Sequence, residues 1–349
     1  MTEMWNHYDR TAARTHGAPG RTLRPASPTI DIHAHAVSPE AAAFVRPHLP
    51  AARNTADPAS RELGAKQSSD RASRLANPAE RLAELDAMGI DIQVVMPSPG
   101  QCYHALPPDL GTTAARLVND GMAAFCAHRP DRLIPFGTVA IQAADAGTPE
   151  LAHCAARGFK GVQVLTSVAG AELSEPRFAA FWAEAERLSL LVVIHPSGYT
   201  QPDRFRRFYF DNTIGNPLDT TVALHHLIMD GVLARHPNLK LMAAHGGGFL
   251  PAYSGRIDHA WGARSDAHGD LPEAPSTYLK RVFLDSVVFT PHQLAYLVQL
   301  FGVDKILMGT DYPFDMGEYD PIGHVAGAGL SAADVAAITG GNAKRLLGL

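Results

Sequence analysis

The chain has 349 residues, 46% of them hydrophobic and 19% charged, with a formal net charge of −5 at pH 7. That is ordinary globular composition with material for a sizeable core, and it excludes nucleic acid as the main partner, since phosphate binding needs clustered Lys and Arg. No apolar run approaches the roughly 20 residues that span a bilayer, and residues 1–27 lack the apolar stretch of a secretory signal, so no membrane partner and a cytoplasmic location are expected.

In chain order, residues 1–27 read as an N-terminal tail. Eight short aliphatic or β-branched runs then follow, at residues 29–33, 92–97, 133–141, 161–165, 191–195, 239–245, 282–288 and 306–309. Between them lie segments of helical periodicity, at 78–88, 112–128, 144–157, 178–188, 220–235 and 292–301. The runs do not alternate strictly, which is how strands buried on both faces of a parallel sheet read. Eight strand–helix repeats predict an α/β fold, a single (β/α)8 TIM barrel over residues 28–349. An open doubly wound sheet usually carries a glycine-rich phosphate turn after its first strand; here that strand ends in "DIHAHA". Residues 38–77, rich in Pro, Ala, Arg and Ser without a clean period, read as a loop insertion after strand 1. Such a loop is either a surface excursion or a wall of the active site, which barrels build from the loops after their strands.

Seventeen histidines are the one unusual number in the composition. His33 and His35 stand at i and i+2 at the end of the first run. On a strand both face one side, about 7 Å apart, so both imidazoles reach a single metal ion. The bare HxH spacing is weak in so histidine-rich a chain, and its place at a strand end is what gives it weight. His195 ends the fifth run, His245 ends the sixth and Asp311 follows the eighth. Together they offer a His/carboxylate set at one barrel mouth, with a coordination position left open for chemistry. Gly246, Gly247 and Gly248 after His245 permit positive φ and close backbone approach. His225 and His226 are consecutive on a helix and cannot face one site. Cys102, Cys126 and Cys154 have no CxxC spacing, which indicates neither a disulfide framework nor a thiolate metal site.

The segments "DIHAH", "HP" after the fifth run, "AHGGGFLPAYSGR" and "ILMGTDYPFDMGE" resemble the amidohydrolase superfamily. Within it they are similar to the amidohydrolase-related decarboxylases typified by 2-amino-3-carboxymuconate-6-semialdehyde decarboxylase. The resemblance covers roughly residues 28–349, including "LDSVVFTPHQLAYL" and "GNAKRLLGL". It implies one divalent metal, usually zinc with manganese as the alternative, on His33, His35, His195 and Asp311. It implies an acid/base role for His245, and a homodimer in which Arg256 reaches across the interface to a substrate carboxylate. A second carboxylate-binding Arg of the family falls in the first-loop segment, where "SDRASRLANP" offers Arg71 and Arg74. Ser197 stands where the family archetype has Trp after its "HP".

The expected function is metal-dependent, non-oxidative decarboxylation of an aromatic or unsaturated, muconate-like carboxylic acid, with His245 and Asp311 in the chemistry. The alternative on the same scaffold is a single-metal hydrolase of a lactone or amide. Lys160 precedes the fourth run rather than ending it, so no carboxylated lysine bridging two metals is indicated. A non-enzymatic metal-binding barrel is the third reading, and it leaves His245 and the arginines without a purpose.

Overall fold

A computed structural model describes residues 22–49, 58–199 and 204–349. Of the expected tail at 1–27, residues 1–21 lie outside the described residues, as do 50–57 of the segment 38–77. The strands are β1 (Ile30–Asp31), β2 (His35–Ala36), β3 (Ile92–Pro97), β4 (Leu133–Pro135), β5 (Gly161–Leu165), β6 (Ser167–Val168), β7 (Ala171–Glu172), β8 (Leu191–His195), β9 (Lys240–Ala243), β10 (Phe283–Asp285) and β11 (Ile306–Leu307). β6 and β7 form a small antiparallel hairpin; the other strands pair in parallel.

β3 pairs with β1, β2 and β4, while β5, β8, β9, β10 and β11 run side by side in that order. Two isolated parallel bridges, Gly137 to Val162 and Ala34 to Tyr312, join these sheets at both edges. With the Ile32 N–H donating to Met308 O at 2.9 Å, they complete the ring. Counting β1 and β2 as one interrupted strand, this is the eight-stranded barrel that the apolar runs predict. The third run is shorter as a strand than its residues 133–141: beyond Pro135 the chain keeps one bond to β3, from Phe136 N–H to Val95 O at 2.9 Å, and meets β5 through the Gly137 bridge and the Thr138 hydroxyl, which donates to Gln163 O at 3.0 Å.

The barrel interior is filled by Ile30, Ile32, Val94, Met96, Phe136, Leu191, Val193, Met242 and Leu307, and is closed at its floor by Ala343 and Leu347 of the helix Asn342–Leu347. Residues of opposite parity, such as Val95, Val164, Ile194, Leu241 and Leu284, pack outward against the helices. The outer helices carry ordinary end signals. Pro78–Met88 starts at Asn77, whose side chain accepts from the Ala79 and Glu80 N–H groups, and ends at Gly89 with φ 76°. No helix of the described residues is long and apolar enough to cross a membrane.

The expectation of a loop at 38–77 is corrected. Pro39–Val45 and the 19-residue Pro58–Ala76 are helices. None of the second helix's residues is fully buried, so it has no apolar stripe from which a period could be read.

Candidate functional site

The interrupted first strand is what aims the histidine pair. Ile30 and Ile32 point into the barrel, yet Ala34 and Ala36 pack outward, so the alternation shifts between β1 and β2. Asp31 fixes that break: its Oδ1 accepts from the His33 N–H and the Thr310 N–H, both at 3.0 Å, and its Oδ2 accepts from Gln93 Nε2 at 2.7 Å. Burial pushes the Asp31 carboxyl up to about 6, against the opposing effect of those hydrogen bonds. Beneath lies Arg81, 0% exposed, which donates to Gln93 Oε1 at 2.8 Å and stacks on the Tyr312 ring at 4.5 Å. The spacing argument for His33 and His35 therefore succeeds through a kink rather than a regular strand. His195 needs no such device, since it shares the inward parity of Leu191 and Val193.

His33, His35, His195, His245 and Asp311 converge at the barrel mouth. His33 Nε2 lies 3.1 Å from His35 Nε2 and 3.4 Å from Asp311 Oδ1. His35 Nε2 is 3.1 Å from the same oxygen, and His195 Nε2 is 4.0 Å from it. His245 Nε2 approaches the other oxygen, Oδ2, at 3.5 Å. His33, His195, His245 and Asp311 each present one donor atom within 4.8 Å of the others, a spacing that suits one divalent cation. His245 and Asp311 both have positive φ, 55° and 57°, a region that non-glycine residues seldom occupy except where surrounding structure enforces it. Gly246, Gly247 and Gly248 continue the turn at φ 61°, 79° and 69°.

The outward nitrogens decide the tautomers. His33 Nδ1 donates to Asp285 Oδ2 at 2.7 Å, His35 Nδ1 to Pro97 O at 3.0 Å and His195 Nδ1 to Pro196 O at 2.7 Å. Carbonyl oxygens only accept, so in His35 and His195 the proton sits on Nδ1 and Nε2 presents a lone pair to the centre. His195 Nε2 is buried and has no hydrogen-bond partner. Burial, reinforced by the neighbouring imidazoles, holds His195 well below the ordinary histidine range. Burial also works upward on Asp311, but the imidazoles of His245, His35 and His33 around it outweigh that and hold the carboxyl well below the usual carboxylate range. Several lone pairs facing one carboxylate at these distances form a donor set made for a cation.

Asp285, at the inward end of β10, is the residue that sequence reasoning missed. Besides His33, its carboxylate accepts from the His245 N–H at 2.9 Å, the Gly246 N–H at 2.9 Å and the Val287 N–H at 3.1 Å. Its only trace in the sequence is an acid inside the apolar run 282–288.

A cleft of about 360 Å³ opens above the cluster, lined by His195, His245 and Asp311 at its base and by Arg71, Tyr209, Asp211, Phe314 and Asp315 among its walls. Of the three arginines expected near substrate, Arg71 is the one in this wall. Arg74 is 40% exposed and points to Glu80 and Glu84, at 3.7 and 3.9 Å. Arg256 is exposed on the helix Leu250–Ala263 and does not line the cleft.

The family model described as amidohydrolase matches residues 30–349. The chain belongs to the amidohydrolase family. Among amidohydrolase relatives, 2-amino-3-carboxymuconate-6-semialdehyde decarboxylase of Dictyostelium discoideum is 33% identical over 276 residues, 78% of this chain and 77% of the relative. Gamma-resorcylate decarboxylase of Rhodococcus jostii is 30% identical over 258 residues, 67% of this chain and 76% of the relative. The crystal structure of 5-carboxyvanillate decarboxylase from Novosphingobium aromaticivorans, complexed with manganese and 4-hydroxy-3-methoxy-5-nitrobenzoic acid, superposes with a TM-score of 0.80 at 25% identity, covering 93% of this chain and 97% of that one. The chain is a carboxy-lyase of this decarboxylating branch of the amidohydrolases.

Proposed function

We propose that the chain removes a carboxylate from an aromatic or unsaturated acid at a single divalent metal held by His33, His35, His195 and Asp311. One observation carries the ligand assignment: His33, His35 and His195 each have Nδ1 engaged by an oxygen and Nε2 turned toward Asp311. His245 differs, since its Nδ1 has no hydrogen-bond partner and its Nε2 faces the other Asp311 oxygen, Oδ2, at 3.5 Å. That supports a proton-moving role for His245 over a fourth imidazole ligand. A bound zinc, or manganese in its place, would act as a Lewis acid on a substrate carboxylate and orient it in the cleft.

His245, which lines the floor of the cleft, is in position to deliver a proton to the carbon that bears the departing carboxylate. Carbon dioxide then leaves with its bonding pair returned to the carbon skeleton. Arg71 places a guanidinium in the wall of the cleft that receives the substrate. Asp285 positions His33 and the His245 backbone together, so the ligand shell and the base share one support. Arg256 shares its helix with Tyr253, 70% exposed, and Phe249 at the start of that helix is 42% exposed. Exposed aromatics on the same helix surface as a cation support a homodimer in which Arg256 enters the partner's cleft.

His245→Ala tests the reading. The variant should retain stoichiometric metal by elemental analysis while carbon dioxide release from aromatic carboxylates falls by about 10²-fold or more. Near-normal turnover would remove His245 from the mechanism. Uptake of water by a lactone or amide, with no loss of carbon dioxide from any acid, would move the chain to the hydrolytic reading.

A further inference from the structure

The cleft wall holds an ionic pair that the reaction itself does not require. Arg71 Nη1 donates to Asp315 Oδ1 at 3.2 Å, with the two side chains 19% and 14% exposed. The guanidinium lies over the Phe314 ring at 5.1 Å, and the Tyr209 hydroxyl donates to the same Asp315 oxygen at 3.4 Å. Three segments distant in sequence are thus tied together above the metal-ligand cluster: the helix Pro58–Ala76, the stretch around Tyr209 and the turn after β11. Among the described residues lining the cleft, Arg71 is the sole Arg or Lys, and Asp211 and Asp315 oppose it in addition to Asp311.

An arginine already engaged by a carboxylate offers a second anion little net attraction. The same pair presents a charged acceptor beside a charged donor, which complements a neutral hydroxyl or an amino group. We propose that Asp315 is a specificity-determining residue. With Arg71 it binds a hydroxyl or amino substituent of a monocarboxylate substrate and turns away a second carboxylate at that wall. Specificity of this kind comes as much from the like charge set against the wrong ligand as from the contacts made to the right one. The inference rests on the decarboxylase reading only for which carboxylate reacts, since binding at the wall is read without turnover.

Calorimetric titration of the manganese-loaded protein with 3-hydroxybenzoate and with benzene-1,3-dicarboxylate measures the preference. The wild-type chain is expected to favour the hydroxy acid. Asp315→Asn should shift the ratio of dissociation constants by about tenfold toward the dicarboxylate, while Asp315→Glu keeps the preference. Arg71→Gln should shift it the other way, by weakening the dicarboxylate most. Melting curves check that each variant folds; should Asp315→Asn fail, the Glu and Gln variants carry the same comparison. Equal binding of both ligands by the wild type, or ratios unchanged across the variants, overturns the proposal. Failure to release carbon dioxide from any acid would sink the decarboxylase reading and leave these binding ratios standing.

Discussion

Asp285→Asn is the perturbation that most directly probes how the site is held. The carboxylate is 0% exposed and accepts four hydrogen bonds, from His33 Nδ1, His245 N, Gly246 N and Val287 N. Asparagine keeps one acceptor oxygen and places an amide NH2 against N–H groups that themselves donate. The charge-assisted bond to His33 is weakened, and at least one backbone donor is left unpaired. Each loss is worth roughly 1.5–3 kcal/mol, so the metal-free variant should be destabilised by about 3 kcal/mol after partial relaxation. Loss of the carboxylate behind a ligating histidine should also weaken metal binding by about 10- to 100-fold. Urea unfolding of the metal-free protein reads the first quantity, and competition against a chromogenic chelator the second. Burial pushes the Asp285 carboxyl up, but the His33 hydrogen bond and the charges of His33 and His245 outweigh it and leave it below its ordinary value. A depressed carboxylate stabilises above the unfolded pKa of about 4 and loses that contribution as pH falls through its folded value. The variant's deficit should therefore be full at neutral pH and shrink in acid. Metal affinity within threefold of wild type, together with an unchanged unfolding midpoint, would refute the reasoning.

Further outcomes follow from the same packing. Gly248→Ala would drive a Cβ into Pro217 O at a φ of 69°, so a loss of about 3 kcal/mol in unfolding free energy is expected, with metal binding impaired through the His245 and Gly246 backbone bonds to Asp285. Arg81→Met leaves Gln93 Oε1 and the Arg74 carbonyl without their buried donor; unfolding should cost at least about 3 kcal/mol less, measured by denaturant titration. His104 and His324 are pushed down to about 4 by burial. Their unfolded forms take up protons near pH 6.5, so stability should be complete above that pH and decline as pH falls from 6.5 to about 4. A His104→Gln, His324→Gln double variant with the same acid slope as wild type would contradict this.

The parts of the site that were legible in the sequence are polar residues that interrupt apolar strand ends. His195 follows "LVVI", His245 follows "LMAA" and Asp311 follows "ILMGT", where a buried polar group needs a purpose. Asp285 carries the same mark, but a single acid in "VFLDSVV" does not announce that it will accept from a histidine 252 residues away. The break between β1 and β2 was hidden because "TIDIHAHA" alternates as an unbroken strand would, and only Asp31 redirects it. Arg71 and Arg74 were inseparable in the sequence. Their helix has no apolar stripe, so nothing local says which side faces the cleft, and contacts to Phe314 and Asp315 make the choice. Arg256 rested on the family resemblance, and in the single chain it stands exposed outside the cleft.

The barrel's closure also has a consequence in time. Its first strand hydrogen-bonds to Met308 and Tyr312, and its interior is sealed by Ala343 and Leu347. On a ribosome, residues 30–36 emerge long before these partners exist, and the two ends of the metal-ligand set, His33 and Asp311, are separated by the same delay. Neither the ring nor its chemistry can be assembled piecewise from the amino end. The nascent chain must hold its early strands in an unfinished, chaperone-accessible state until the last quarter of the barrel is made, so a ribosome stalled before residue 306 would display a protein with no site at all.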